Sequence, residues 1–235
     1  LTEADSHLGL TNRLMAPFAR RVCLSFSLPG RDGARYRVTG RPIPAKARDE
    51  RTARERLGVG AEETCVLVFG GSLGARSINW AAAEAFAGSA FHVLHIAGRR
   101  DYGELLNRGL PQGYDLRDYL DEPDFADALA AADLTVARAG GSVFEIAAHG
   151  VPAVLVPYPH ASGDHQSANA RWMSEAGAAV VIPDGELTPA RLAREVAELL
   201  ADRTALATMA SASRALARPN AAHEVAQELL EAAGG

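Results

Sequence analysis

The chain reads as an α/β protein built on a Rossmann-like, doubly wound parallel sheet, and three observations lead there. Six short apolar runs, Cys65–Phe69, His92–Ala97, Tyr114–Arg117, Leu134–Ala137, Ala153–Val156 and Ala179–Ile182, alternate with segments of helical character. Two glycine turns, Gly70-Gly71-Ser72-Leu73-Gly74 and Gly140-Gly141-Ser142, each follow such a run and open a helix. At 235 residues and 48% hydrophobic content, the chain can bury a full core.

The elements before the first of these runs are different in kind. Leu10 to Arg21 has helical periodicity, with Pro17 placed to kink it or mark a start. Val22–Ser27 and Tyr36–Thr39 read as strands, and Gly40-Arg41-Pro42-Ile43-Pro44 reads as a stiff linker. Lys46–Leu57 is an arginine-rich helix expected to present a solvated face. The Rossmann-like unit is expected over residues 45–218, preceded over 1–44 by the tail of something else. From Thr188 the chain is helical, and Pro219 splits off a last helix, Ala221 to Ala232, within 219–235.

Composition removes several classes. Net charge is −5 with no long basic block, which argues against a nucleic-acid partner. No apolar run approaches the ~18 residues of a spanning helix, and no signal-peptide pattern is present. Cys23 and Cys65 both lie in apolar runs and are expected to be buried thiols rather than a disulfide. The chain starts at Leu1 in an already amphipathic segment, and is expected to begin inside a larger protein.

Chemistry concentrates between Val136 and Ala170. In open α/β sheets, ligands bind at the carboxyl ends of the strands. Glycines in the Gly70–Gly74 turn permit positive φ and close backbone approach, so free N–H groups at the helix start can face a phosphate. The turn is neither a Walker A loop nor a G-x-G-x-x-G fingerprint, and an ordinary tight βα turn explains it equally well. Ser142 and Glu145 fit an S-x-x-E capping box; alternatively Glu145, in a first helical turn, accepts both hydroxyls of a ribose. Asp164 is the natural N-cap of the following helix, which carries Gln166 and Asn169 three apart on one face. Their amides offer the donors and acceptors that neutral sugar hydroxyls require, unless they form a plain solvated face. Asp118-Tyr119-Leu120-Asp121 leaves a strand where backbone groups can meet a base edge.

The inventory suits a phosphate, a ribose and a sugar better than a metal or a nicotinamide. His92 and His95, three apart on a strand, point to opposite faces. His160 and His165 share a loop without a third ligand, and no G-x-S-x-G elbow supports a serine hydrolase.

GGSLGAR after a strand, VARAGGSVFEIAAHGVPAVLVPYP, and DHQSANA followed by EAGAAVVI resemble the MurG family. These are bacterial peptidoglycan transferases that move N-acetylglucosamine from UDP-N-acetylglucosamine onto a lipid-linked muramyl peptide (lipid I to lipid II). The resemblance covers nearly the whole chain and implies a GT-B fold, with this chain carrying the C-terminal donor half. Residues 1–44 would then be the end of the acceptor domain plus the interdomain joint. In the glycine turn, Ser72 with the backbone of Gly71 and Gly74 would hold the diphosphate. Leu120 would read the uracil, Glu145 would bind the ribose, and Gln166 and Asn169 would hold the hexose, with His165 nearby. The resemblance further implies no required cofactor for donor binding, Mg2+ being left open, and a peripheral association with the cytoplasmic face of the plasma membrane.

Three departures qualify these expectations. The turn between Arg138 and Glu145 is one residue shorter than the family commonly has, which leaves the roles of Gly141 and Ser142 open. An arginine expected at the joint is replaced by Pro44, with Arg41 nearby, which leaves open whether Arg41 compensates. The family's glycine-rich loop and histidine, where the acceptor and general base belong, do not occur in this chain. No catalytic residue is therefore assigned, and the chain alone is expected to bind donor without transferring sugar. The alternatives are a stand-alone nucleotide-sugar-binding subunit serving a separate acceptor subunit, or a transferase acting on another lipid or a natural product.

Overall fold

The computed structural model describes residues 1–44, 49–71, 73–111 and 113–234, with Ser162 described in its backbone only. Two parallel sheets organise it. The small one holds β1 (Thr2–Glu3), β2 (Val22–Leu24) and β3 (Tyr36–Val38) in that order. The large one holds β4 (Cys65–Phe69), β5 (His92–Ile96), β6 (Tyr114–Arg117), β7 (Leu134–Ala137), β8 (Ala153–Leu155) and β9 (Ala179–Val181), in the order β6-β5-β4-β7-β8-β9. Counted from β4 this is the doubly wound order 3-2-1-4-5-6, and the strand order reverses between β4 and β7.

Hydrogen bonding to neighbours on both sides requires β4 to be covered above and below, and its side chains show it. Cys65, Leu67 and Phe69 enter a core with Leu129 of α5 (Glu122–Ala131), Ile146 of α6 (Val143–His149) and Met173 of α7 (His165–Glu175). Val66 and Val68 enter the opposite core with Ile78 of α3 (Arg76–Ala85), Val196 of α8 (Pro189–Ala201) and Leu206 of α9 (Arg203–Ala215). The first core continues into the small sheet through Leu24 and Phe26. Phe26, Phe144 and Trp172 pack there as a triad, with ring centroids 4.7 to 5.3 Å apart.

Several sequence expectations are corrected. The first helix, α1 (Leu10–Met15), stops before Pro17, which is the second residue of a 3-10 turn, Ala16–Phe18. The arginine-rich helix is described from Glu50 as α2 (Glu50–Leu57), capped by Asp49, which accepts from the Thr52 N–H; residues 46–48 lie outside the described residues. It is not a merely solvated face. Arg54 is 5% exposed and donates to Asp133 at 2.9 Å, and the same carboxylate accepts from the N–H of Cys65 at 2.8 Å. A buried arginine survives only because such partners replace its water. Both cysteines are buried and free, and burial pushes the Cys65 thiol up to about 12.

The last helix, α10 (Ala221–Gly234), returns to the small sheet, where Glu228 pairs with both Arg21 and Arg37. Beside them, Arg20 donates to the carbonyl of Ala232 at 2.6 Å. Among the described residues, no helix is long and apolar enough to cross a membrane.

Candidate functional site

The turn after β4 and the turn after β7 flank the point where strand order reverses. Gly71 and Gly74 adopt φ of +96° and +79°, and a β-carbon on Gly74 would stand 2.0 Å from the Ala97 carbonyl oxygen. Only glycine satisfies both demands, the left-handed backbone and the contact. Ser72 lies outside the described residues. α3 starts with no side-chain cap, and so does α6, whereas α2 and α5 are capped by Asp49 and Asp121. An uncapped helix start carries a partial positive charge; at α6 the N–H groups of Val143 and Phe144 already donate to the carbonyls of Gly140 and Gly141.

Arg41 adds a full charge to this place. A β-carbon on Gly141 would stand 2.0 Å from its Nη1 and 2.7 Å from its Cζ, so the guanidinium lies directly on the second turn. The Arg41 side chain makes no hydrogen bond or ion pair with a described residue. Arg41 thus stands at the turn after β7.

Glu145 decides between its two sequence readings. Ser142 sits at the N-cap in helical conformation (φ −62°, ψ −11°) with no side-chain capping bond, and Glu145 does not fold back onto it. The capping box is not formed. The carboxylate instead lines a cavity of about 480 Å³ with Phe69, Gly71, Ile96, Leu120, Phe125 and Ser142. Burial pushes its pKa above the usual carboxylate range, and the charge of Arg41 offsets part of that. Among the described residues no donor meets this half-buried carboxylate, whose oxygens are open to the cavity.

The amide pair divides. Oε1 of Gln166 accepts from the N–H of Tyr158 at 2.9 Å, which fixes the amide and leaves its NH2 about 3.9 Å from where a Gly140 β-carbon would be. Asn169 is 1% exposed, and its Nδ2 donates to the Ala139 carbonyl at 3.0 Å. Its Oδ1 is buried without a partner among the described residues. Its donating nitrogen thus braces the turn after β7. The expectation that Asp164 caps the helix with its side chain is corrected. The residue stands at the N-cap in left-handed conformation (φ 56°, ψ 26°), and its carboxylate accepts from Ser167 Oγ rather than from backbone N–H. His165 stacks against His7, with centroids 6.3 Å apart.

Sequence reasoning missed two supporting networks. Arg138, 9% exposed, donates to Asp184 at 2.6 Å, to Ser77 Oγ at 2.8 Å and to the carbonyls of Val156 and Pro157. It thereby ties the exits of β7 and β8 to the start of α3. His95 bonds Asn79 Oδ1 through Nε2 (3.0 Å) and the Tyr114 hydroxyl through Nδ1 (2.7 Å), while Asn79 donates to Asp101 and to Ala97 O beside Gly74. Polar residues inside apolar strands, such as His95, were the available signal for the second network. Elsewhere, Glu3 accepts from the N–H groups of Asp5 and Gly9 and from Asn12. Burial opposes its ionisation, but those bonds outweigh it and hold its pKa low.

Residues 65–225 match the glycosyltransferase family 28 C-terminal domain. The chain belongs to glycosyltransferase family 28. Named enzymes of UDP-N-acetylglucosamine–N-acetylmuramyl-(pentapeptide) pyrophosphoryl-undecaprenol N-acetylglucosamine transfer are its relatives. That of Moorella thermoacetica is 41% identical, over 98% of this chain and 67% of its own length. That of Rubrobacter xylanophilus is 40% identical, over 98% of this chain and 69% of its own. The crystal structure of Acinetobacter baumannii MurG superposes with a TM-score of 0.75 at 27% identity, covering 98% of this chain and 65% of that one. The chain thus spans about two thirds of the length of these family 28 relatives. The family resemblance and the doubly wound fold expected from sequence are both found.

Proposed function

We propose that the chain is the donor-binding part of a transferase that takes UDP-N-acetylglucosamine and delivers N-acetylglucosamine to undecaprenyl-linked muramyl-pentapeptide. The observation that carries this reading is Glu145: a half-buried carboxylate that meets no donor among the described residues, in a cavity next to a guanidinium at the reversal of strand order. A nucleoside diphosphate fits that pairing. Glu145 accepts the two ribose hydroxyls, Ile96 and Phe125 flank the uracil, and the backbone at Leu120 meets its edge. The diphosphate lies between the turns at Gly71–Gly74 and Gly140–Ser142, with Arg41 beside it. The NH2 of Gln166 reaches a hexose hydroxyl.

Transfer breaks the bond between the anomeric carbon and the diphosphate oxygen while the acceptor oxygen attacks. Negative charge grows on the leaving diphosphate, where helix N-termini and Arg41 stabilise it without having to reorganise. In this reading donor binding needs no metal held by the protein, and any Mg2+ rides on the diphosphate. The acceptor's base is assigned to a segment outside these residues, and the whole enzyme works at the cytoplasmic face of the membrane that holds its lipid substrate.

Calorimetric titration with UDP, UDP-N-acetylglucosamine, UDP-glucose, UDP-galactose and NAD tests the donor assignment. UDP and UDP-N-acetylglucosamine are expected to bind and NAD not to; NAD binding without a response to UDP overturns the reading. Sugar transfer into lipid, assayed with this chain alone and with a full-length relative, tests the division of labour. Substantial turnover by the chain alone would place the acceptor site within it.

A further inference from the structure

The loop that presents Gln166 is held from outside the large sheet. His7, between β1 and α1, lays its ring on Gly163, where a β-carbon would stand 2.7 Å from Nε2 and 2.8 Å from Cε1. The same ring stacks on His165 at an interplanar angle of 28°. Its Nδ1 is buried without a partner among the described residues. The segment under it has an uncommon backbone. Gly163 has φ +61°, and Asp164 has φ +56°, left-handed geometry that L-residues seldom adopt. Such conformations persist where their surroundings over-determine them. Two local bonds contribute, Ser167 to Asp164 and Tyr158 to Gln166, and His7 closes the loop from the third side.

We propose that His7 is a positioning residue for the donor sugar: it clamps the 158–166 loop so that the Gln166 amide stays aimed at the hexose. The inference rests on the reading that Gln166 meets the sugar. Because Nδ1 is buried and Nε2 lies against Gly163, the ring acts through the loop and not on a substrate hydroxyl. An ångström of drift at Gln166 suffices to spoil such an interaction. Nucleotide contacts at Glu145 and Leu120 lie on other elements and do not depend on the clamp.

The test is calorimetry on the whole chain with UDP and UDP-N-acetylglucosamine, for wild type, His7→Ala and His7→Phe. For His7→Ala the affinity for UDP-N-acetylglucosamine is expected to fall about tenfold while that for UDP stays unchanged. His7→Phe, which restores a flat ring over Gly163, is expected to recover most of the loss. Thermal melting of the variants is expected to match wild type. A His7→Ala protein with wild-type affinity for both ligands overturns the proposal, and so do equal losses for both ligands accompanied by a lowered Tm. If wild type binds neither ligand, the donor reading itself fails, a result distinguishable from failure of the clamp alone.

Discussion

Gly141 and Arg41 occupy adjoining space: a β-carbon on the glycine would stand 2.0 Å from the guanidinium's Nη1. Gly141 is not among the residues with positive φ, so alanine suits its backbone and acts only by displacing the arginine. Gly141→Ala and Arg41→Ala are each expected to weaken UDP binding by ~1.5–3 kcal/mol, the range for a hydrogen bond to a charged group. Combined, they are expected to cost little more than either alone, because both remove one interaction. Additive losses in the double-mutant cycle would show that Gly141 acts on the diphosphate independently of Arg41.

Glu145 makes opposite demands on stability and on binding as pH changes. Burial raises its pKa above the ordinary 4.5, so the folded chain takes up a proton at a pH where the unfolded chain has not. Its contribution to stability therefore improves as pH falls through that raised value. UDP binding runs the other way, because ribose hydroxyls need the ionised acceptor. Between neutrality and pH 4.5, affinity is expected to fall with acidification while this group's stability contribution rises. Glu145→Gln is expected to abolish that component of both slopes and to weaken UDP binding by ~1–3 kcal/mol at pH 7. Titrations and melts on the same samples across the window provide the check.

The two amides on α7 are expected to separate cleanly. Gln166→Ala should lower affinity for UDP-N-acetylglucosamine and spare UDP, since its NH2 is assigned to the hexose. Asn169→Ala leaves the buried carbonyl of Ala139 without its donor and should destabilise the fold by ~1–3 kcal/mol. Urea melts beside ligand titrations distinguish the outcomes. Unchanged stability in Asn169→Ala would restore it as a direct sugar contact.

His95 is expected to make the fold acid-sensitive. Burial pushes its pKa from 6.5 down to about 3. Below pH 6.5 the unfolded chain gains a proton that the folded one refuses, so stability falls from there down to about pH 3. His95→Phe should remove that slope, yet cost ~1–3 kcal/mol at pH 7 by taking the ring partner away from Asn79 Oδ1 and the Tyr114 hydroxyl. Denaturation at pH 7 and pH 5 gives the comparison; an equal slope in both proteins would assign the acid sensitivity to other groups.

The large sheet was legible because its strands are contiguous apolar runs, each bounded by turns; the six begin at the residues expected and end within one of them. Glu145 was legible only as an ambiguity, since S-x-x-E spacing fits a cap as well as a ligand. Ser142's helical conformation excludes the cap, and no local pattern encodes that. Arg54 was read as part of a solvated face and Arg138 was given no partner, because Asp133 and Asp184 lie 79 and 46 residues away. Asn169 differs from Gln166 because an i, i+3 pair shares a face but not a depth: Asn169 is 1% exposed and donates to the turn after β7. His7 carried no signal at all, as its partner Gly163 is brought near only by the packing of the small sheet on the large one.

Gly40 draws together much of what has been described. Its β-carbon, were there one, would stand 2.6 Å from that of Arg218, so the chain's outward passage from the small sheet touches its return passage into α10. The two passages are therefore packed against each other at one point, and only a residue without a β-carbon lets them meet. The salt bridges of Glu228 then fasten α10 to the small sheet, so the end of the chain is tied back to its beginning. A side chain at position 40 would push the two passages apart one residue before Arg41, and the guanidinium's place on the turn after β7 would be disturbed with them.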